Sequence, residues 1–112
     1  MKALVYTGVE ELIYRDEKDP VETSGESILK VHASGICGSD MHAYHGKDER
    51  RIAPLIIGHE VSGVIQNGKF QGKNAVLNPL ITCGKCEYCT SGREHLCPHR
   101  VLLGMNLSLI HI

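Results

Sequence analysis

The sequence predicts a mainly β domain with short helices and a metal-stapled cysteine lobe. Three observations predict it. Short apolar runs with the two-residue alternation of strands are separated by Gly, Pro and polar turns. Only one stretch, Ser39 to Tyr44, reads as a helical turn. Four of the five cysteines crowd between Cys83 and Cys97. A chain of 112 residues has room for one domain with a modest core. With no Trp and a single Phe, Phe70, that core must come from Val, Ile and Leu, and a thin core benefits from a metal staple.

Lys2 to Tyr6 reads as a first strand, and Gly8 marks a turn into a second at about Leu12 to Tyr14, a pair that suggests a hairpin. Arg15 to Glu26, with Pro20, Ser24 and Gly25, is a surface connection. Ser27 to Ala33 alternates Ile28, Lys30 and His32 against Leu29, Val31 and Ala33, a strand with two different faces. The helical turn follows Gly35, with Ser39 or Asp40 as its N-cap. Leu55 to Ile65 is β-rich but is interrupted by His59 and Glu60, and polar residues inside an apolar run point to chemistry. Ala75 to Asn78 makes a short strand ended by Pro79, after which the cysteine loop begins.

Formal net charge is -1 and the basic residues are scattered, so no single-sign face exists to attract nucleic acid or anionic membranes. Met1 runs directly into an alternating strand with no charged and apolar leader, and no apolar run reaches the ~18 residues of a bilayer span. The expected compartment is the cytoplasm, where thiols stay reduced and clustered cysteines favour metal over disulfides.

The text CGKCEYCTSGREHLC sets Cys83, Cys86 and Cys89 at two successive C-x-x-C spacings, with Cys97 after a longer gap. Two intervening residues let a turn aim both sulfurs at one centre, as tetrahedral four-thiolate zinc requires, and Gly84 and Gly92 ease the tight backbone. Four thiolates leave no open coordination position, so the expected role is structural. Ligand chemistry alone also admits iron, and the plainest alternative is unliganded thiols.

Cys37, His59 and Glu60 form a second set. A mixed trio of this kind suits catalytic zinc, which keeps a fourth position for water or substrate. Taken singly, each has an ordinary reading: an inert thiol, a satisfied core histidine and a solvated charge.

The segments GICGSDMHAYHG and PLIIGHEVSG, followed by the four-cysteine loop, change that reading. Together they resemble the N-terminal catalytic domain of the zinc-dependent medium-chain alcohol dehydrogenases, a GroES-like, partly open β-barrel, over roughly residues 1–106. GICGSDMH with GHE is most similar to the polyol (sorbitol-type) and threonine dehydrogenase branch. The resemblance implies that Cys37 and His59 ligate a catalytic zinc. Glu60 would either ligate directly or stand behind the metal and exchange with bound water. Ser39 matches the hydroxyl that takes the substrate alcohol's proton, and His42 the histidine that passes it to solvent. Asp40 matches a carboxylate that orients His59. Plain alternatives are a helix N-cap for Ser39 or Asp40 and a surface role for His42. His45, His95 and His99 match no family role. The implied reaction uses zinc as a Lewis acid toward the oxygen of a small alcohol or polyol while hydride passes to NAD or NADP.

The chain departs from the family in three places. No G-x-G-x-x-G occurs, so the Rossmann cofactor domain that carries the nicotinamide contacts and the usual homo-oligomer interface is expected to be absent, and the chain is expected to be inactive alone. The region Gln66 to Val76 is shorter than usual, reading GKNAV where GDRV is typical. Leu107 to Ile112, LSLIHI, reads as an atypical tail of artefactual origin or as a terminal strand. Two function classes follow: a dehydrogenase fragment, or a non-catalytic zinc-stabilised binding module derived from the same fold. A four-thiolate iron protein is the third and weakest.

Overall fold

The computed structural model describes residues 1–109. Lys2–Gly8 (β1) and Glu11–Asp16 (β2) form the expected antiparallel hairpin, with Leu4 opposite Tyr14 and Val5 opposite Ile13. Period-two alternation turns Ala3 and Val5 inward and leaves Lys2 and Leu4 exposed. Glu10 at the hairpin tip donates its backbone N–H to the Tyr44 carbonyl at 2.7 Å, which ties the hairpin to the helix described next.

Leu29–Ser34 (β3) leads into α1, Gly38–Tyr44. The apolar run after it divides into Leu55–Ile56 (β4), which pairs with β1, and Val61–Ile65 (β5), which pairs with β3. The break between them holds His59 and Glu60, as the polar interruption of that run predicts. Asn74–Val76 (β6) closes on β5, and residues 66–73 form the compact hairpin loop in which Gly72 N–H bonds the Ile65 carbonyl at 2.8 Å. The two sheets, β2-β1-β4 and β3-β5-β6, give the partly open β-barrel.

Leu80–Ile81 (β7) and Val101–Leu102 (β8) make a small ladder that the sequence reading did not anticipate. It brackets the cysteine lobe, which contains α2 (Glu87–Thr90) and a 3-10 turn at Glu94–Leu96. The core is thin, as expected. Ala3, Val5, Tyr6, Ala43, Leu55, Val61, Leu103 and Met105 are buried, joined by the wholly enclosed Cys97. No isoleucine among the described residues is buried to that degree, so Tyr6 and Met105 fill volume that Ile was expected to supply.

Leu107 to Leu109 are seated on this framework. Leu107 bridges Leu103, and the Ser108 hydroxyl accepts the Ile56 N–H at 3.0 Å. The rest of the unusual tail, 110–112, lies outside the described residues. Just before it, Gly104 and Gly58 meet backbone to backbone. A Cβ on Gly104, which has φ +72°, would stand 1.7 Å from the Gly58 carbonyl oxygen. Glycine is required there both by the left-handed backbone and by the contact. Because Gly58 immediately precedes His59, this contact sets the position of the GHE turn.

Candidate metal centres

The four-cysteine cluster is built from local turns. Cys86 caps α2, Cys89 lies within it, and Cys97 ends the 3-10 turn. Gly84 and Gly92 both take positive φ, as the tight backbone around such a centre requires. The sulfurs of Cys83, Cys86, Cys89 and Cys97 all lie within 4.8 Å of one another. Two separations are 3.9 Å (Cys83–Cys89) and 3.5 Å (Cys86–Cys89). A tetrahedron with Zn–S bonds of ~2.3 Å spaces its sulfurs ~3.8 Å apart, whereas a disulfide needs ~2.05 Å. The cysteines are free thiols at metal-site spacing.

The electrostatics of the cluster point the same way. Backbone N–H groups of Lys85 and Cys86 aimed at Cys83 lower its thiol to about 6. At Cys86 the Cys89 N–H also favours the thiolate, but burial and the neighbouring sulfurs outweigh it and raise the thiol to about 11. One thiolate is therefore easy to form and further ones are resisted. A dication at the centre removes that resistance, because the thiolate is the metal-binding form.

The second cluster is assembled by tertiary structure. Strand β3 delivers the chain to Cys37, and its partner β5 begins just after Glu60. The ladder aligns Ser34 with Val61, and Gly35 N–H bonds the Glu60 carbonyl at 2.7 Å. The ligand atoms of half-buried Cys37, half-buried His59 and exposed Glu60 consequently lie within 4.8 Å of one another.

The cap of α1 differs from expectation. Its N-cap is Cys37, with extended φ -81° and ψ 151°, rather than Ser39 or Asp40. Asp40 occupies the third helical position, and its Oδ2 accepts the Cys37 backbone N–H at 3.0 Å. A carboxylate three residues into a helix can reach back to the cap in this way, which the sequence pattern did not separate from capping by Asp40 itself.

Asp40 Oδ1 also faces His59 Nδ1 at 3.5 Å. That nitrogen is buried and otherwise without a partner among the described residues. A neutral imidazole has one N–H and one lone pair, so directing Nδ1–H at Asp40 leaves Nε2 as the donor to a metal. Sulfur, nitrogen and carboxylate oxygen together suit zinc with one position free. Ser39 is half-buried and His42 exposed, three residues apart on α1 and so on one helix face. No hydrogen bond joins them among the described residues.

Sequence reasoning missed Arg51. Its side chain is fully buried, and its guanidinium donates to the Ser39 carbonyl (3.0 Å), the Ser39 hydroxyl (3.1 Å), Asp40 Oδ1 (2.9 Å) and Asp48. Arg50 beside it is 58% exposed and pairs with Asp48 from outside. Nothing in DERR distinguishes the two.

The alcohol dehydrogenase GroES-like domain family matches residues 23–109. The sorbitol dehydrogenase of Halalkalibacterium halodurans is 38% identical over 113 residues, covering 93% of this chain and 33% of that protein. The L-threonine 3-dehydrogenase of Streptomyces coelicolor is 37% identical over 115 residues, covering 94% and 34%. Among solved structures, an alcohol dehydrogenase of Escherichia coli CFT073 complexed with NADH superimposes with a TM-score of 0.86 at 32% identity, covering 96% of this chain and 33% of that one. The chain thus spans about a third of the length of the curated relatives it matches. On the matched motifs, the sheet topology and the family match, the chain belongs to the alcohol dehydrogenase GroES-like domain family.

Proposed function

We propose that this chain is the metal-binding part of a zinc-dependent NAD(P) dehydrogenase acting on a small alcohol or polyol. The observation that carries the proposal is the convergence of Cys37, His59 and Glu60 on one point, separate from the four-cysteine cluster. A binding module stabilised by Cys83, Cys86, Cys89 and Cys97 alone has no need of a second, mixed donor set. When bound at the mixed site, zinc supplies Lewis acidity toward the substrate oxygen.

The protein residues have separable tasks. Cys37 and His59 would hold the metal, and Glu60, exposed at the rim, would either be the third donor or stand behind the metal and exchange with bound water. Asp40 holds His59 in the tautomer that presents Nε2. Ser39, two residues after Cys37, would take the alcohol's proton while releasing its own hydroxyl proton, and exposed His42, one helical turn on, would pass a proton to water. A nicotinamide held by a dinucleotide domain would supply the hydride acceptor. The part of the relatives' length that lies outside the match supplies that domain in this proposal, together with the interface of a homo-oligomer.

The domain is assigned to residues 1–106 with an atypical tail at 107–112, in the cytoplasm and without nucleic-acid or membrane partners. No helix among the described residues is long and apolar enough to cross a membrane. Metal analysis tests the central assignment: two zinc ions per chain are expected, and one after Cys37→Ser. A single zinc in the unaltered chain refutes it, and a coloured ferric-thiolate protein refutes zinc in the cysteine lobe. Sequencing the locus beyond the Asn106 codon tests the cofactor domain, for which an in-frame G-x-G-x-x-G segment is expected.

A further inference from the structure

We infer that Arg51 is a positioning residue of the mixed-donor centre, acting through Asp40 on His59 and Cys37 and directly on Ser39. The inference rests on the metal assignment proposed for Cys37, His59 and Glu60. A fully buried guanidinium is costly unless its N–H groups are met, and three of the five hydrogen bonds that this one donates are accepted by Ser39 and Asp40 of the site. One nitrogen, Nη2, is shared between Asp40 Oδ1 and the Ser39 hydroxyl. The other, Nη1, bonds the Ser39 carbonyl and Asp48, while Nε reaches the Gly104 carbonyl at 3.4 Å.

These contacts leave Asp40 little freedom. Its Oδ2 is held by the Cys37 N–H and its Oδ1 by Arg51, and Oδ1 is the oxygen that faces His59 Nδ1. Rotation of the carboxylate away from the imidazole would break a bond to a buried cation. Arg51 therefore fixes the direction of the Nδ1–H contact, and with it the direction of the Nε2 lone pair. At Ser39 the guanidinium takes one lone pair of the hydroxyl and turns its hydrogen away from Arg51. Lysine, a point charge without the planar fork, can meet only part of this geometry.

The test is cobalt titration of the full chain, unaltered and as Arg51→Lys and Asp48→Asn. Cobalt in the four-thiolate site gives an intense thiolate band that reports an intact lobe, and cobalt at the mixed site gives a separate, weaker d–d spectrum. Arg51→Lys is expected to lower cobalt affinity at the mixed site about tenfold or more, the range found when groups that orient metal-bound histidines are lost, with the four-thiolate affinity unchanged. Asp48→Asn keeps an oxygen for Nη1 and is expected to leave both affinities unchanged while lowering stability. Unchanged mixed-site affinity and spectrum in Arg51→Lys overturn the inference, as does an equal loss in Asp48→Asn, which would mark a purely structural effect.

A wild-type chain that takes only one cobalt overturns the metal assignment itself, and this inference with it. A second readout needs no variant. The Arg51 side-chain N–H resonances of the wild-type chain are expected to shift when the mixed site fills after the four-thiolate site. Resonances that stay in place during that step overturn the inference.

Discussion

Replacing Gly104 with alanine puts a methyl carbon 1.7 Å from the Gly58 carbonyl oxygen, 2.6 Å from its carbon and 3.0 Å from its nitrogen. Ordinary contact begins at 3.4 Å, so the separation must double, and both partners are backbone rather than flexible side chains. The left-handed φ of +72° adds a cost of about 1–2 kcal/mol for any residue with a Cβ. Forcing a methyl group into a closed contact adds about 1–3 kcal/mol. A loss of roughly 3 kcal/mol is expected, equivalent to a fall of about 10 °C or more in Tm for a domain of this size. The displacement is directional, because Gly58 adjoins His59. Gly104→Ala should therefore lose the mixed-site metal before the four-thiolate metal. Thermal unfolding of the zinc-saturated chain, paired with metal analysis after mild chelation, reads both effects. A variant with wild-type Tm and two tightly held zinc ions would refute the reasoning.

Cys97→Ser is expected to cost roughly 3 kcal/mol or more, because it removes the fully enclosed thiol of the four-cysteine cluster and, with it, a proposed zinc ligand. Cys37→Ser should lose one metal with a small change in the denaturation midpoint, and equal losses in the two variants would contradict the division between centres. Adding zinc to the reduced, metal-free chain at pH 7.5 should release fewer than four protons at the cysteine lobe, since Cys83, lowered to about 6, is already ionised. Zinc affinity should fall as pH is lowered through that value, as competition with a zinc chelator would show. Asp48 is lowered to about 2, chiefly by its hydrogen bond from Arg50, so the stability it contributes is present above its ordinary value of 3.8 and lost as pH falls toward 2. After discounting for solvent at exposed Arg50, that contribution is about 1 kcal/mol. Asp48→Asn should thus be less stable at pH 6 and equal to the unaltered chain near pH 2, as urea melts at the two pH values would show.

The parts that the sequence determined are those whose partners lie close along the chain. Cys83, Cys86 and Cys89 meet because two-residue gaps can turn only a short way, and the β1–β2 hairpin forms because alternation and a turn specify it locally. Cys37 and His59 were legible from their surrounding motifs. Their meeting depends on the β3–β5 register, which places Gly35 against Glu60. A one-residue slip of that register would turn every side chain of the strand to the opposite face and separate the donors.

Other features were decided only by tertiary structure. The helix cap lies at Cys37, whose backbone N–H is met by Asp40 reaching back from the third position. The contrast between buried Arg51 and exposed Arg50 follows from which of two adjacent side chains faces α1. The closeness of Gly104 to Gly58 joins chain segments that share no sequence pattern. Spacing could point to the four-thiolate donors and the surrounding motifs to the mixed set, because ligand chemistry belongs to residue types. Which groups hold those atoms in place was decided by the fold, because burial and orientation belong to the packed chain as a whole.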